Sequence, residues 1–338
     1  DVMPLLGQNR TLVRRGLVKI NLDPRPGIAA LMHVADLAPG SVDSTAISFR
    51  LAPRLNAAGR LHSAKLAYDL LRTHDPTTAY LHAKTLEDLN SRRRTLTEAA
   101  QKEAELQLAA DLAEDPPLLM AGSPHFEHGV VGLVAGKLVE RFYRPALVLR
   151  EEEETARGSA RSIPEFNISR ALDQVAPLLV RHGGHPLAAG FTIRSANLPA
   201  LREELSALAE EELGDRAELR PTLGIDAETP LEDLSWGVVE QFARLEPTGE
   251  ANRPPLLLAR GCRVRSVRTV SEGKHLKLGL DSGHATHVFD AIGFHLGERQ
   301  SAIRQDDHVD IVFQAEINEW NGQRRLQLNL EDVRLTRS

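Results

Sequence analysis

Residues 183 to 190 read Gly-Gly-His-Pro-Leu-Ala-Ala-Gly, and it is here that the sequence first offers chemistry. Two consecutive glycines let backbone N–H groups face outward with no side chain in the way, and the His185 imidazole follows directly. Exposed amides beside an imidazole suit a phosphate or another anion, because the amides form a concave cradle and nothing bulky blocks close approach. Taken alone, Gly183, Gly184 and His185 also fit a plain glycine-rich turn between a helix and a strand.

Three further groups bear on the same chemistry. Ser159 and Arg161 stand two apart on an expected strand, so they share a face, and a hydroxyl beside a guanidinium makes an oxyanion or phosphate pair. Residues 49 to 61, Phe-Arg-Leu-Ala-Pro-Arg-Leu-Asn-Ala-Ala-Gly-Arg-Leu, set Arg54, Asn56 and Arg60 among alanines and leucines. Pro53 argues against a simple helix there; if helix resumes after it, Asn56 and Arg60 share a face four residues apart. These polar groups form either a structural turn or the wall of a neighbouring site. Towards the C-terminus, Arg263, Arg265, Lys274, Lys277 and Arg324 could make a basic strip, with Trp320 or His275 as a stacking platform for a single strand of nucleic acid. At 4% aromatic residues that platform is thin. No Ser, His and Asp have the spacing of a triad and no Asp-x-Asp pair occurs, so metal ligands are scarce.

The composition bounds what can carry these groups. A chain of 338 residues with 42% hydrophobic and 26% charged residues is long enough for two or three domains, each with its own core. A net charge of −6 argues against a protein that coats nucleic acid everywhere but leaves room for a local basic groove. Arginines gather at 50, 54 and 60, at 91 to 94, and at 260, 263, 265 and 268. Cys262 is the one cysteine, which excludes an internal disulfide framework and a thiolate zinc cluster and fits a reducing, cytoplasmic setting. No apolar run approaches the roughly 20 residues of a membrane span. The sequence starts at Asp1 without an initiator Met, as a fragment or a mature product would.

Local signals order the elements. Helices are expected over Asn9 to Ile20 and Ile28 to Val34, the latter after Pro26-Gly27; Ser44 or Thr45 caps the next segment. Asp75-Pro76 supplies an N-cap and first-turn proline for a long helix carrying Leu86, Leu89, Leu96 and Ala100 on one stripe, read as a connector. Then come a strand at Leu118 to Ala121, a helix at Gly129 to Arg141 and a strand at Ala146 to Leu149, a βαβ unit with parallel strands. Glu151 to Glu154 is a solvated hairpin tip, Thr155 to Ser162 the returning strand, and Asn167 to Arg181 a helix leading into the glycine-histidine loop. A strand and a helix over Leu198 to Glu212 close this part. After Trp236 to Leu245, alternating strands and the hairpin signal Asn321-Gly322 point to a small antiparallel barrel of OB size.

Four strings occur in one order: Phe49 to Leu61, His128-Gly129-Val130-Val131-Gly132-Leu133-Val134-Ala135, Gly158 to Pro164, and Gly183 to Gly190. In that order they resemble the RecJ family of single-strand-specific exonucleases, within the DHH phosphoesterase superfamily. Asp1 to Arg10 resembles the tail of that family's catalytic domain. The resemblance implies a mixed α/β chain: residues 1–40 end the DHH domain, 41–115 form a helical connector, 116–215 a DHH-associated domain, and 216–338 an OB-fold with a leading helix. It implies 5′ to 3′ hydrolysis of single-stranded DNA in recombination and repair, using Mn²⁺ or Mg²⁺ held by the DHH domain. No Asp-His-His string occurs here, and Asp1 alone matches a metal-binding aspartate, so residues 1–338 by themselves are expected to be inactive.

By motif match Gly183, Gly184, His185, Ser159 and Arg161 bind the terminal and scissile phosphates, Arg54, Asn56 and Arg60 line the cleft, and His185 stabilises a transition-state oxygen. A single-strand-binding protein and a helicase are the protein partners to test. At 127 the family carries Trp before the conserved-type His, whereas this chain has Glu127-His128. Two other readings stand beside this one: a non-catalytic module that binds single-stranded DNA, and a phosphodiesterase for small nucleotides, against which the strand-tracking barrel argues.

Overall fold

The computed structural model describes residues 3–214, 219–282, 287–320 and 323–336, with Asp1 and Asn321-Gly322 outside them. It divides into two compact units, residues 19–221 and residues 1–18 with 222–338.

Helices α1 (Gly7–Leu22) and α2 (Pro26–Val34) fall where expected. The turn α3 (Ser44–Ala46) is capped by Asp43, whose carboxylate accepts from the Ala46 N–H, one residue earlier than the expected Ser44 or Thr45. A π-helical turn, Ile47–Leu51, leads into α4 (Ala52–Leu61). Pro53 sits in the first turn of α4, where its missing N–H costs nothing, so helix runs through the stretch that Pro53 was expected to interrupt. Then come α5 (Lys65–Arg72) and the long α6 (Pro76–Leu112), whose N-cap Asp75 accepts from Thr78 N–H at 2.8 Å. The first half of α6 packs on α2, α4 and α5 and the second half on α7 (His128–Phe142) and β1 (Leu119–Ser123). It is thus shared core and not a bare spacer.

The sheet of this unit runs β1, β2 (Ala146–Glu151), β3 (Thr155–Arg161), β5 (Ala188–Arg194), β4 (Leu179–His185), with β1 and β2 parallel and the rest antiparallel. Alternation decides its two faces. Leu147, Leu149, Ala156, Ala160, Phe191 and Ile193 face α8 (Ile168–Gln174) and α9 (Leu198–Leu213). Leu119, Ala121, Ala146 and Val148 face α6 and α7. The helix expected over Asn167 to Arg181 stops at Gln174; a 3₁₀ turn at Ala176–Leu178 follows, and the chain then turns into edge strand β4. Gly183-Gly184-His185 is therefore strand, and Pro186-Leu187 is the tight turn that leads into β5.

The other unit is a closed barrel. After the short β6 (Ala227–Glu228) and α10 (Trp236–Phe242), β7 (Leu257–Val270), β8 (His275–Asp281), β9 (Phe289–Gly293), β10 (His308–Trp320) and β11 (Gln323–Leu335) pair in the order β7-β8-β9-β11-β10, and β10 returns to β7. This is the five-stranded Greek-key OB architecture. Its interior holds Val264, Leu276, Leu278, Leu280, Val309, Ile311 and Phe313. Cys262 lies in it, and burial, with the nearby Asp310 charge, pushes the thiol up to about 12. No helix of the described residues is long and apolar enough to cross a membrane.

Candidate phosphate cleft and barrel surface

The first unit carries an open cleft of about 450 Å³ lined by Gly59, Arg60, His128, Gly129, Val131, Gly132, Arg157, Gly158, Ser159 and Arg161. Sheet register explains why polar groups meet here. On the face covered by α6 and α7, Val148 is paired with Ser159 and Ala146 with Arg161, so the apolar surface turns polar at β3. Arg157, Ser159 and Arg161 then share one face by alternation. Arg161 Nη1 donates to Ser159 Oγ at 2.9 Å and to the Ala160 carbonyl at 2.8 Å, which fixes the guanidinium in the cleft.

Two glycines of α7 make the approach close enough. A Cβ on Gly132 would stand 2.9 Å from Ser159 Oγ and 3.1 Å from Arg161 Nη2, and one on Gly129 would run into the Arg60 carbonyl. Arg60, at the end of α4, donates from Nη1 to the Gly129 carbonyl at 3.2 Å. Burial, then the charge of Arg60, holds Arg161 below the usual guanidinium range. No Asp or Glu lines the cleft. His128 Nε2 lies 3.1 Å from Glu152 Oε1, which approaches it from the acidic hairpin tip. Glu127, standing where the family resemblance leads one to expect Trp, pairs with Arg150 at 3.5 Å.

Of the residues expected here, Arg60, Ser159 and Arg161 come together and others do not. Arg54 is ion-paired with Glu87 of α6 and donates to the Arg50 carbonyl, so it braces two helices. Asn56 is exposed one turn before Arg60. Gly183, Gly184 and His185 lie on exposed β4. Register aligns Gly183 with Gly190 and Ser159, and His185 with Ala188 and Arg161, so Gly183 and His185 share the cleft's face two strands away, about 10 Å by strand spacing. A Cβ on Gly183 would meet nothing within 4 Å, leaving bare backbone beside the arginines. Arg157 and His128 were missed as site residues; His128 opens one of the strings already noted and Arg157 stands one residue before another, and only the packing of α7 on β3 brings the two to one cleft.

The barrel treats its cations differently. Arg263 grips Asp306 through Nε at 3.0 Å and Nη2 at 2.6 Å, and Arg265 grips the buried Asp281. Arg324 lies 3.6 Å from Glu240 and stacks 5.5 Å over the Trp236 ring. Lys274 and Lys277 have no ion-pair partner among the described residues, and Arg268 is paired in register with Lys277. His275 sits edge-on to Phe294 at 5.2 Å, and its Nδ1 accepts from His295 N–H at 3.1 Å. Phe294 is 55% exposed, an aromatic surface that the sequence reading did not select. The side chain of Trp320 lies outside the described residues. The basic strip expected here is thus broken: its three arginines are taken by carboxylates, Arg265 by Asp281 of the neighbouring strand β8, Arg263 by Asp306 in the turn before β10, and Arg324 by Glu240 of α10.

Comparison with known proteins agrees with both units. The DHHA1 domain family matches residues 115–211 and the RecJ OB domain matches residues 225–332. This is a chain of the DHHA1 class joined to an OB domain. The chain is 33% identical over 98% of its length to the single-stranded-DNA-specific exonuclease RecJ of Bacillus subtilis, covering 42% of that protein, and 31% identical over 99% to that of Thermus thermophilus, covering 46%. The crystal structure of Thermus thermophilus RecJ in complex with Mn²⁺ superposes on the whole chain with a TM-score of 0.83 at 29% identity, over 48% of that structure. The chain belongs to the RecJ family and corresponds to the C-terminal part of its members, spanning about half the length of these relatives.

Proposed function

We propose that this chain is the substrate-positioning part of a 5′ to 3′ exonuclease for single-stranded DNA. The observation that carries the reading is the cleft where Arg60, Arg157, Ser159 and Arg161 converge with no carboxylate among the lining residues. Such a cluster repels itself until an anion arrives, and a phosphate accepts from a guanidinium and a hydroxyl together. Arg161 and Ser159 hold one phosphate of the strand, Arg60 and Arg157 complete its charge, and the bare backbone around Gly183 leaves space for the adjoining sugar. His185 stabilises charge on a neighbouring phosphate oxygen. On the barrel, Lys274, Lys277 and Arg268 attract the backbone while His275 and Phe294 offer rings for bases.

Relatives of this chain are named single-stranded-DNA-specific exonucleases, and Thermus thermophilus RecJ has been solved with Mn²⁺ and with Mg²⁺. The described residues of this chain contain no group of three or more His, Cys, Asp or Glu able to hold such an ion, so they do not fit it, and Asp1 is outside them. Bond breaking is accordingly assigned to no residue here; orientation of the phosphate is what these side chains supply. The same observation favours a second reading for the isolated chain, that it binds single strands without cutting them.

The test is Arg161→Ala in the full-length protein, assayed on long single-stranded DNA with Mn²⁺. Turnover should fall far more than affinity; equal losses would reduce Arg161 to a binding residue, and no loss in either would remove the cleft from the reaction. A cleavage assay of the 338-residue chain separates the two readings.

A further inference from the structure

Buried positions along α6 follow a regular stripe: Ala79, Ala83, Leu86, Asn90, Thr97, Ala100, Ala104 and Leu108. The step from Asn90 to Thr97 is seven residues, and the helical position that should fill it, three after Asn90 and four before Thr97, is Arg93. A guanidinium thus stands where the pattern calls for an apolar side chain. It is half-buried, its Nε has no hydrogen-bond partner, and the Oδ1 of the buried Asn90 one turn away has none either. Nearby, Arg54 of α4 and Arg94 of α6 share the carboxylate of Glu87. No ion pair is formed by Arg93 among the described residues. A partly buried charge without a counter-ion is costly, so its position calls for a role that offsets the cost.

Position supplies one. Arg93 lies where α6 passes from its contacts with α4 to its contacts with α7, the junction at which Arg60 meets Gly129. Burial, then the charge of Arg60, then that of Arg94, holds Arg93 below the usual guanidinium range, so Arg60 is a charge felt by both Arg93 and Arg161. We infer that Arg93 is a positioning residue of the phosphate cleft: from within the helix packing it repels the Arg60 guanidinium towards the cleft and adds positive potential there, at the expense of the free protein's stability. This rests on the cleft being the phosphate site proposed above.

The 338-residue chain provides the test, as wild type, Arg93→Met, Arg93→Lys and Arg161→Ala. Two quantities are measured: the thermal midpoint without ligand, and the affinity for a 5′-phosphorylated single-stranded trinucleotide at two salt concentrations. Methionine keeps the stem and removes the charge. Arg93→Met should raise the midpoint by about 2–4 °C and weaken binding about three- to tenfold with a shallower salt dependence, while Arg93→Lys keeps wild-type affinity. A residue that merely packs would lose midpoint and affinity together, and that result overturns the inference. So does unchanged affinity in Arg93→Met alongside a large loss in Arg161→Ala, which leaves the cleft reading standing. If Arg161→Ala binds like wild type, the cleft reading fails and this one falls with it. Should Met not be accommodated, Arg93→Gln gives the same readings.

Discussion

The cleft of the α/β unit and the surface of the barrel are both rich in arginine, and they use it in opposite ways. In the cleft, Arg60 and Arg161 meet a hydroxyl and backbone carbonyls, Arg157 lines the same space, and no lining residue is a carboxylate. On the barrel, Arg263, Arg265 and Arg324 each have an acidic partner. Asp310 shows the barrel's logic at its fullest, accepting from Gly261 N–H, Thr336 Oγ1 and Arg334 together. An arginine already neutralised holds strands in place; one kept among its own kind waits for an anion. Counting basic residues in a sequence cannot separate the two, since the partner carboxylates Asp306, Asp281 and Glu240 lie far from their arginines in the chain, in a turn, a strand and a helix.

The sharpest test exchanges the two kinds. Arg161→Ala should weaken a short 5′-phosphorylated strand about 10- to 100-fold, the loss of charged hydrogen bonds, while Arg263→Ala changes it less than about twofold. Titrations giving similar losses for both would erase the distinction. The next effect concerns the barrel's unpaired cations: Lys277→Ala or Arg268→Ala should each lower the salt slope of long-strand binding by about 1, whereas Arg265→Ala leaves the slope unchanged. If Arg265→Ala alone changes the slope, the paired arginines are the DNA contacts after all.

Smaller effects sharpen the same comparison. Gly132→Ala pushes a methyl against Ser159 Oγ and Arg161, and should cost about 1–3 kcal/mol in unfolding free energy together with phosphate affinity. Chemical denaturation with and without the oligonucleotide reads both. For Asp310, burial pulls the carboxyl up, but hydrogen bonds from Gly261, Thr336 and Arg334 outweigh it and hold the group below the usual carboxylate range. A depressed folded value means that its contribution is full above about pH 4, the unfolded value, and is lost as pH falls through the lower folded one. Barrel stability should therefore drop on acidification, and Asp310→Asn should flatten that dependence; an unaltered pH profile would show the network to be inert.

Much of the architecture was legible in the residues. Periodicity located α1, α2 and α7, the Asp75-Pro76 cap set the start of α6, and alternation with the hairpin signal gave the barrel. The clearest failure was β4. An edge strand buries little, so Leu179 to His185 lacks the period-2 apolar pattern that marks a strand, and helix-compatible residues before it extended the expected helix past Gln174. Arg54 was misplaced for another reason: sharing a motif with Arg60 says nothing of Glu87, which lies a helix away and captures it.

By itself, then, the sequence determined which side chains were available and on which local face each would stand, because capping, helical period and strand alternation act over a few residues. Only the tertiary structure decided which cations stay unpaired. That choice depends on strand register beside α7 and on helix crossings at Gly129, contacts made between residues far apart in the chain, and it is what turns Arg60, Ser159 and Arg161 into one site while leaving Arg54 and Arg263 as braces.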